Sequence, residues 1–172
     1  NTPTVVATSY AAWSLLDAYD VLRSEVCLRT ARSACDFIIR DLKRTKGPRG
    51  ICFSYSPKDQ TQVHNASLLG ARLLARVGAL TGENDLIDLA EQAVEYAVHG
   101  QTTEGAWAYG SAHFQRWVDG FHTGFNLECL HDFCQYSGRE WPQRALKKGL
   151  EYYRDRLFLL DGTARYFHDR TY

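Results

Sequence analysis

Three residues carry the chemistry that this sequence can offer: His64, His122 and Asp119. Each histidine stands just before a polar residue suited to capping a helix (Asn65, Thr123) and leads into an apolar helical run. A helix N-terminus carries about half a positive charge, which disfavours imidazolium and leaves a neutral ring able to act as base or ligand near pH 7. Asp119, three residues before His122, can orient that imidazole or serve as a second proton-transfer group. Each has a plainer reading: a histidine before a cap can act as a staple, and an aspartate in a Trp-Val-Asp-Gly turn can bond the backbone two residues on.

Around these three lies an aromatic set, Tyr55, Trp107, Tyr109, Trp117 and Tyr166 together with Phe53, in segments that read as loops. Aromatic faces at a cavity mouth can stack on sugar rings or line a prenyl pocket. Asp119, His122 and His64 could supply three zinc ligands, but neither an H-x-x-x-H pair nor paired cysteines accompany them, so no metal or cofactor is expected. Gly-rich phosphate loops and G-x-S-x-G elbows are absent, which argues against nucleotide and acyl-serine chemistry. His99, His113 and His131 have no repeat partner, and His168 falls near the end of the sequence.

The elements that must position these residues are repeated. Gly50 to Tyr55 (GICFSY), Gly105 to Tyr109 (GAWAY) and Gly162 to Tyr166 (GTARY) read as copies, each closing a stretch with two helical patterns. Such periodicity marks stacked helical hairpins, because one hairpin cannot bury its own apolar face. The first unit predicts a helix over Val6 to Leu22, capped by Thr8 or Ser9, and a second over about Leu28 to Leu42, with a stop at Gly47-Pro48. The second predicts Ala66 to Leu80 capped by Asn65, a turn at Thr81-Gly82, and Leu86 to Val98. The third predicts a helix capped by Thr123 through Phe133, a turn at Ser137-Gly138, and a helix from near Pro142. First helices are rich in Ala, Gly and Leu, whereas second helices carry Arg32, Arg40, Lys43, Glu91, Arg144, Lys147 and Lys148. The former should therefore form an inner layer and the latter an outer one. The expected architecture is all-α: a single domain over 1–172 with three antiparallel hairpins at about 1–57, 58–112 and 113–172.

Gln101 to Trp107 (QTTEGAW) resembles the Q-x-x-x-G-x-W repeat of terpenoid cyclases, and Phe121 to Leu127 (FHTGFNL) resembles an inner-helix opening in protein prenyltransferase β-subunits. More closely, VHNASLLGARLLARV and WVDGFHTGFNLECL resemble toroid proteins of bacterial surface-polysaccharide loci. The resemblance implies an α/α toroid, six hairpins closed into a ring, of which this chain would be a partial ring and a piece of a longer protein. It also implies that Trp107 stacks on Gln101 to tie adjacent hairpins, and that a histidine at the place of His122 can ligate zinc. The cyclase D-x-D-D signature is absent, and Asp119-Gly120-Phe121 lacks the cysteine of the prenyltransferase D-x-C pair.

With 45% hydrophobic and 23% charged residues, and 20 Lys plus Arg against 20 Asp plus Glu, the composition is globular and offers no net field for a nucleic acid or an anionic membrane. The five cysteines form no C-x-x-C pair and mostly lie in apolar helical patterns, which reads as buried thiols in a reducing, cytoplasmic setting. Three functions remain open. One is a carbohydrate-directed hydrolase, lyase or epimerase with His64, His122 and Asp119 as acid–base groups. Another is a prenyltransferase-like or cyclase-like enzyme on an isoprenoid. The third is a noncatalytic scaffold whose uncovered repeat edges pair with another copy.

Overall fold

The computed structural model describes residues 2–170. Six helices run α1 (Val5–Leu22), α2 (Glu25–Arg40), α3 (His64–Thr81), α4 (Asn84–His99), α5 (Gly120–Ser137) and α6 (Gln143–Arg156), with one two-stranded ribbon, β1 (Arg44–Lys46) and β2 (Ile51–Phe53). The fold is a partial α/α toroid of three antiparallel hairpins. Helices α1, α3 and α5 form the inner layer and α2, α4 and α6 the outer one. Central α3 packs against α1, α5, α4 and α2, so it is buried from His64 to Gly78. Its Leu68, Leu73 and Leu74, with Phe53, Trp107 and Phe133 from other segments, are among the largest buried side chains of the core.

The predicted turns at Gly82 and Gly138 end α3 and α5 in the left-handed conformation, at φ 75° and 68°, where glycine meets no Cβ penalty. Helix starts differ from the expectation. Thr4 caps α1 and Asp119 caps α5, while Val63 precedes α3. Thr8, Ser9, Asn65 and Thr123 lie inside their helices; Thr123 donates its hydroxyl to the Asp119 carbonyl, 2.6 Å away, instead of accepting an N–H. Nor does Gly47-Pro48 stop a helix. Helix α2 starts three residues earlier than expected and ends at Arg40, and the Gly47–Gly50 turn joins β1 to β2, pairing Arg44 with Phe53 and Lys46 with Ile51. Phe53 consequently lies in the core and not in a loop.

The starts are displaced because another group supplies the missing acceptor. The first backbone N–H of a helix has no partner inside it, and in each unit the carbonyl of the closing tyrosine accepts it. Val5 N–H donates to Tyr55 at 2.9 Å, His64 N–H to Tyr109 at 3.2 Å, and Gly120 N–H to Tyr166 at 2.9 Å. In the first two units the glycine that opens the closing loop then meets the next outer helix. A Cβ on Gly50 would lie 2.0 Å from the Gln92 carbonyl oxygen, and one on Gly105 would lie 2.5 Å from that of Lys148. Salt bridges add a second stitch between units. Arg32 on α2 forks onto Glu83 in the α3–α4 turn at 2.7 Å, and Arg139 in the α5–α6 turn reaches Asp88 and Glu91 on α4 at 3.2 and 3.5 Å.

Both Gly105 and Gly162 have positive φ, 107° and 86°, but a Cβ on Gly162 would meet nothing within 4 Å. Gly162→Ala should cost only the left-handed backbone penalty, about 1–2 kcal/mol. Gly105→Ala adds a clash with backbone of α6 and should cost well above that, on the order of 3 kcal/mol or more. Urea denaturation of both variants checks the difference.

Candidate functional site

The mouth is the end where the inner helices begin, and Asp119 organises it. As the residue before α5 it accepts the His122 backbone N–H on Oδ1 at 2.8 Å, which fixes the first turn. Its Oδ2 accepts from the His122 ring at Nδ1, 2.7 Å, and from Trp117 Nε1 at 3.0 Å. Asp119 is 1% exposed. Burial works to raise its pKa, but the bonds from the His122 ring and backbone and from Trp117 outweigh it and hold the carboxyl below its ordinary range. A carboxylate only accepts, so the neutral His122 carries its proton on Nδ1 and leaves Nε2 with a free lone pair. The His122 side chain is 25% exposed and can meet a ligand.

Aromatic rings continue the site. Tyr109 stacks on Trp117 with centroids 4.7 Å apart and an interplanar angle of 11°, and its edge meets His122 at 4.5 Å. Burial raises the Tyr109 pKa, and the neighbouring Tyr55 and Asp119 push it the same way, so its phenol stays protonated. From His122 the contacts run to Phe121, from Phe121 to Phe125, and from Phe125 to Tyr10 on α1. This row crosses the concave face from the third unit to the first.

Below it lies a wall that the sequence reading did not single out. Arg72 and Arg76 on α3 are 7% and 2% exposed, and both guanidiniums sit over the Trp13 ring, at 3.6 and 4.3 Å. Arg72 bonds Glu128 at 2.9 Å and lies 2.5 Å from Asp132 by Nε, a charge contact without hydrogen-bond geometry. Arg76 bonds Asp17 at 2.7 Å and Asp20 at 2.8 Å. Burial tends to lower the Arg76 pKa, but Asp17, Tyr136 and Asp20 raise it by more. Two arginines four apart in an otherwise uncharged inner helix were the available signal.

Not every expected site residue meets the others. His122, Asp119, Tyr109 and Trp117 form one cluster, with Tyr55 beside Tyr109. Tyr166 is exposed and packs on Phe167, on the other flank of α5, where it shares a shallow cleft with Phe121 and Tyr153. Trp107 is 2% exposed and donates to the Ala97 carbonyl at 2.8 Å, and Gln101 reaches the Gly105 and Ala145 carbonyls at 3.0 Å. The Trp107 ring also lies against α6, where a Cβ on Gly149 would come within 2.5 Å of it, so Trp107 ties the second hairpin to the third and presents no face at the mouth.

His64 is not the counterpart of His122. It is the first residue of α3, whereas His122 is the third of α5. Along the extended segments before α5, successive side chains alternate in direction: Tyr109, Trp117 and Asp119 join His122, while Ala108, Gly110 and Val118 line a separate cleft with His64. The imidazole packs by Tyr96, with ring centroids 5.8 Å apart. Among the described residues its buried Nδ1 has no hydrogen-bond partner, and burial lowers its pKa to about 4. His168 bonds the Tyr152 hydroxyl through Nδ1 at 2.5 Å. All five cysteines are unpaired, and burial pushes the Cys35 and Cys52 thiols up to about 12, which suppresses thiolate chemistry.

No protein-family model matches the chain, and no curated protein matches it. Its backbone does match solved structures. A sugar epimerase from a ruminal bacterium superposes with a TM-score of 0.79 and 16% identity, over 95% of this chain and 47% of that one. Cellobiose 2-epimerase from Bacillus thermoamylovorans gives 0.78 and 17%, over 95% and 47%. Unsaturated glucuronyl hydrolase from Bacillus sp. GL1, responsible for glycosaminoglycan degradation, gives 0.74 and 15%, over 92% and 47%. The chain thus has the α/α-toroid fold and spans about half the length of these enzymes. No helix among the described residues is long and apolar enough to cross a membrane.

The buried neutral His64 makes stability depend on pH. Its pKa is about 4 in the folded state against 6.5 ordinarily, so the unfolded chain binds the extra proton between these values. The stabilisation is complete above about pH 6.5 and is lost as pH falls toward 4. Replacing His64 by Gln should remove about 3 kcal/mol of that pH dependence, measured as the difference in unfolding free energy between wild type and variant across this range.

Proposed function

We propose that the protein acts on a saccharide, with proton transfer by His122 at the mouth of the toroid. The observation that carries this reading is the bond from His122 Nδ1 to a buried carboxylate, beside the stacked Tyr109–Trp117 pair. Asp119 fixes the tautomer and stabilises the imidazolium that forms when Nε2 takes a proton. The flat Tyr109–Trp117 platform and the adjoining Phe121 suit the apolar face of a pyranose ring, while the buried Asp119 is an orienting group and not the proton acceptor. Support from outside the chain comes from the toroid enzymes it resembles, an epimerase of cellobiose and a glucuronyl hydrolase among them.

The chemistry open to such an imidazole is removal of a proton next to a sugar carbonyl, or activation of a water at a glycosidic carbon. The toroid enzymes it resembles are about twice this length, and the rest of a ring of that length would bring further groups to the mouth. His64 is assigned no part in this step, because it lines the other cleft. Prenyl chemistry gains nothing from the Q-x-x-x-G-x-W segment, since Gln101 and Trp107 are both engaged in holding the fold. Exposed Val21, Leu22 and Val26 at one edge and Leu150 and Leu160 at the other favour pairing with another copy, which gel filtration reads directly.

The test is turnover of reducing disaccharides and unsaturated uronides, followed by chromatography for epimers and cleavage products. His122→Asn and Asp119→Asn should each lower turnover at least about a hundredfold, and Tyr109→Ala should chiefly raise KM. Full activity in the His122→Asn variant would end this reading.

A further inference from the structure

The cleft on the far side of the loop layer has a charge pattern unlike that of the mouth. It encloses about 450 Å³, and His64, Tyr96, His99, Thr102, Ser111 and Arg116 supply its polar lining, with no carboxylate among the residues that line it. That size suits a ligand of one or two rings. Arg116 is exposed and its guanidinium has no ion-pair partner among the described residues, although most other arginines of the interior and the hairpin stitches are paired. His64, 5% exposed, is the cleft's buried polar group, with its Nδ1 lacking a partner.

The room for His64 depends on Gly100. A Cβ there would lie 2.6 Å from His64 Cε1 and 3.2 Å from Nε2. The wall beside His64 is ordered by hydrogen bonds: the Tyr96 hydroxyl donates to Gln62 at 2.7 Å and lies 3.1 Å from Ser111 Oγ. Having donated its one proton, that hydroxyl can take a further hydrogen bond only as an acceptor, which a sugar hydroxyl can meet by donating. Past His99 the surface changes sign, because the adjoining cleft holds Glu91 and Glu95 beside Arg49. The anion-favouring region is therefore bounded to the His64 side.

We infer that this cleft binds the carboxylate-bearing ring of a sugar acid, with Arg116 taking the carboxylate and the Tyr96, Ser111 and His64 side meeting ring hydroxyls. A single guanidinium balances a single negative charge and matches the two oxygens of a carboxylate, a poorer match for a phosphate dianion. The sugar half of the inference rests on the saccharide reading, and the anion half on the charge pattern of the cleft.

The probe is glucuronate, titrated into the intact protein with the His64 ring signals followed by nitrogen–proton NMR, and glucose and inorganic phosphate as comparison ligands. Glucuronate should shift the His64 signals saturably and bind at least about tenfold more tightly than glucose, and Arg116→Gln should weaken it by about tenfold. His122→Asn should leave the titration unchanged. The inference is overturned if no saturable shift occurs, if glucose or phosphate binds as tightly as glucuronate, if Arg116→Gln retains full affinity, or if His122→Asn abolishes the shift. Because the readout is at His64, its failure leaves the mouth assignment standing, and loss of the mouth assignment leaves the Arg116 result to stand or fall alone.

Discussion

Every inner helix here begins on a carbonyl delivered from some fifty residues downstream. An orphan N–H buried at the start of a packed helix costs on the order of 1–3 kcal/mol if unmet, and Tyr55, Tyr109 and Tyr166 meet it in turn. The closing loop must therefore cross back over the inner helix of its own unit, and in the first two units its opening glycine must also lie flat on the next outer helix. Both demands fix where the loop runs. In the second unit that path lays the Tyr109 ring against Trp117 and His122 on one side and turns Ala108 and Gly110 to the other. Two clefts of different chemistry result from one strand-like segment, and the separation of His64 from His122 follows from the same constraint.

The concave wall shows how an inner layer tolerates charge. Buried arginine is unfavourable unless paired, and Arg72 and Arg76 are each answered by two carboxylates from the flanking inner helices, with Trp13 lying under both. Helix α3 supplies the cations, α1 supplies Asp17 and Asp20, and α5 supplies Glu128 and Asp132. The three inner helices are thus held in one order around a polar seam beneath the aromatic row.

Hairpin number and layer assignment were legible from the repeats and from the contrast between uncharged and charged helices, and the toroid from the family resemblance that the repeats carry. Caps were not. Thr8, Asn65 and Thr123 looked right by residue type, but cap preference is a local rule, and here a distant carbonyl satisfied the helix start and moved it upstream. That shift of a few residues broke the apparent equivalence of His64 and His122. The β1–β2 ribbon was hidden because Gly47-Pro48 signals a turn without saying what the turn joins. Trp107 was legible only through the family resemblance, which implied a tying role; its loop position alone pointed to the mouth. The Asp119–His122 pairing could be anticipated from three-residue spacing, whereas Arg72 and Arg76 could be weighed only once α3 was known to be enclosed.

The stitches between hairpins carry opposite polarity. From the first unit to the second, a basic outer helix meets an acidic turn, Arg32 to Glu83; from the second to the third, an acidic outer helix meets a basic turn, Asp88 and Glu91 to Arg139. These pairs are partly exposed and add little to stability one by one. Their inversion acts as a key. Were the third hairpin to dock where the second belongs, Arg32 would face Arg139, and a second hairpin stacked on its own copy would set Glu91 against Glu83. Either mispairing opposes like charges, so a stack of units alike in backbone is told which neighbour comes next by the sign of its surface.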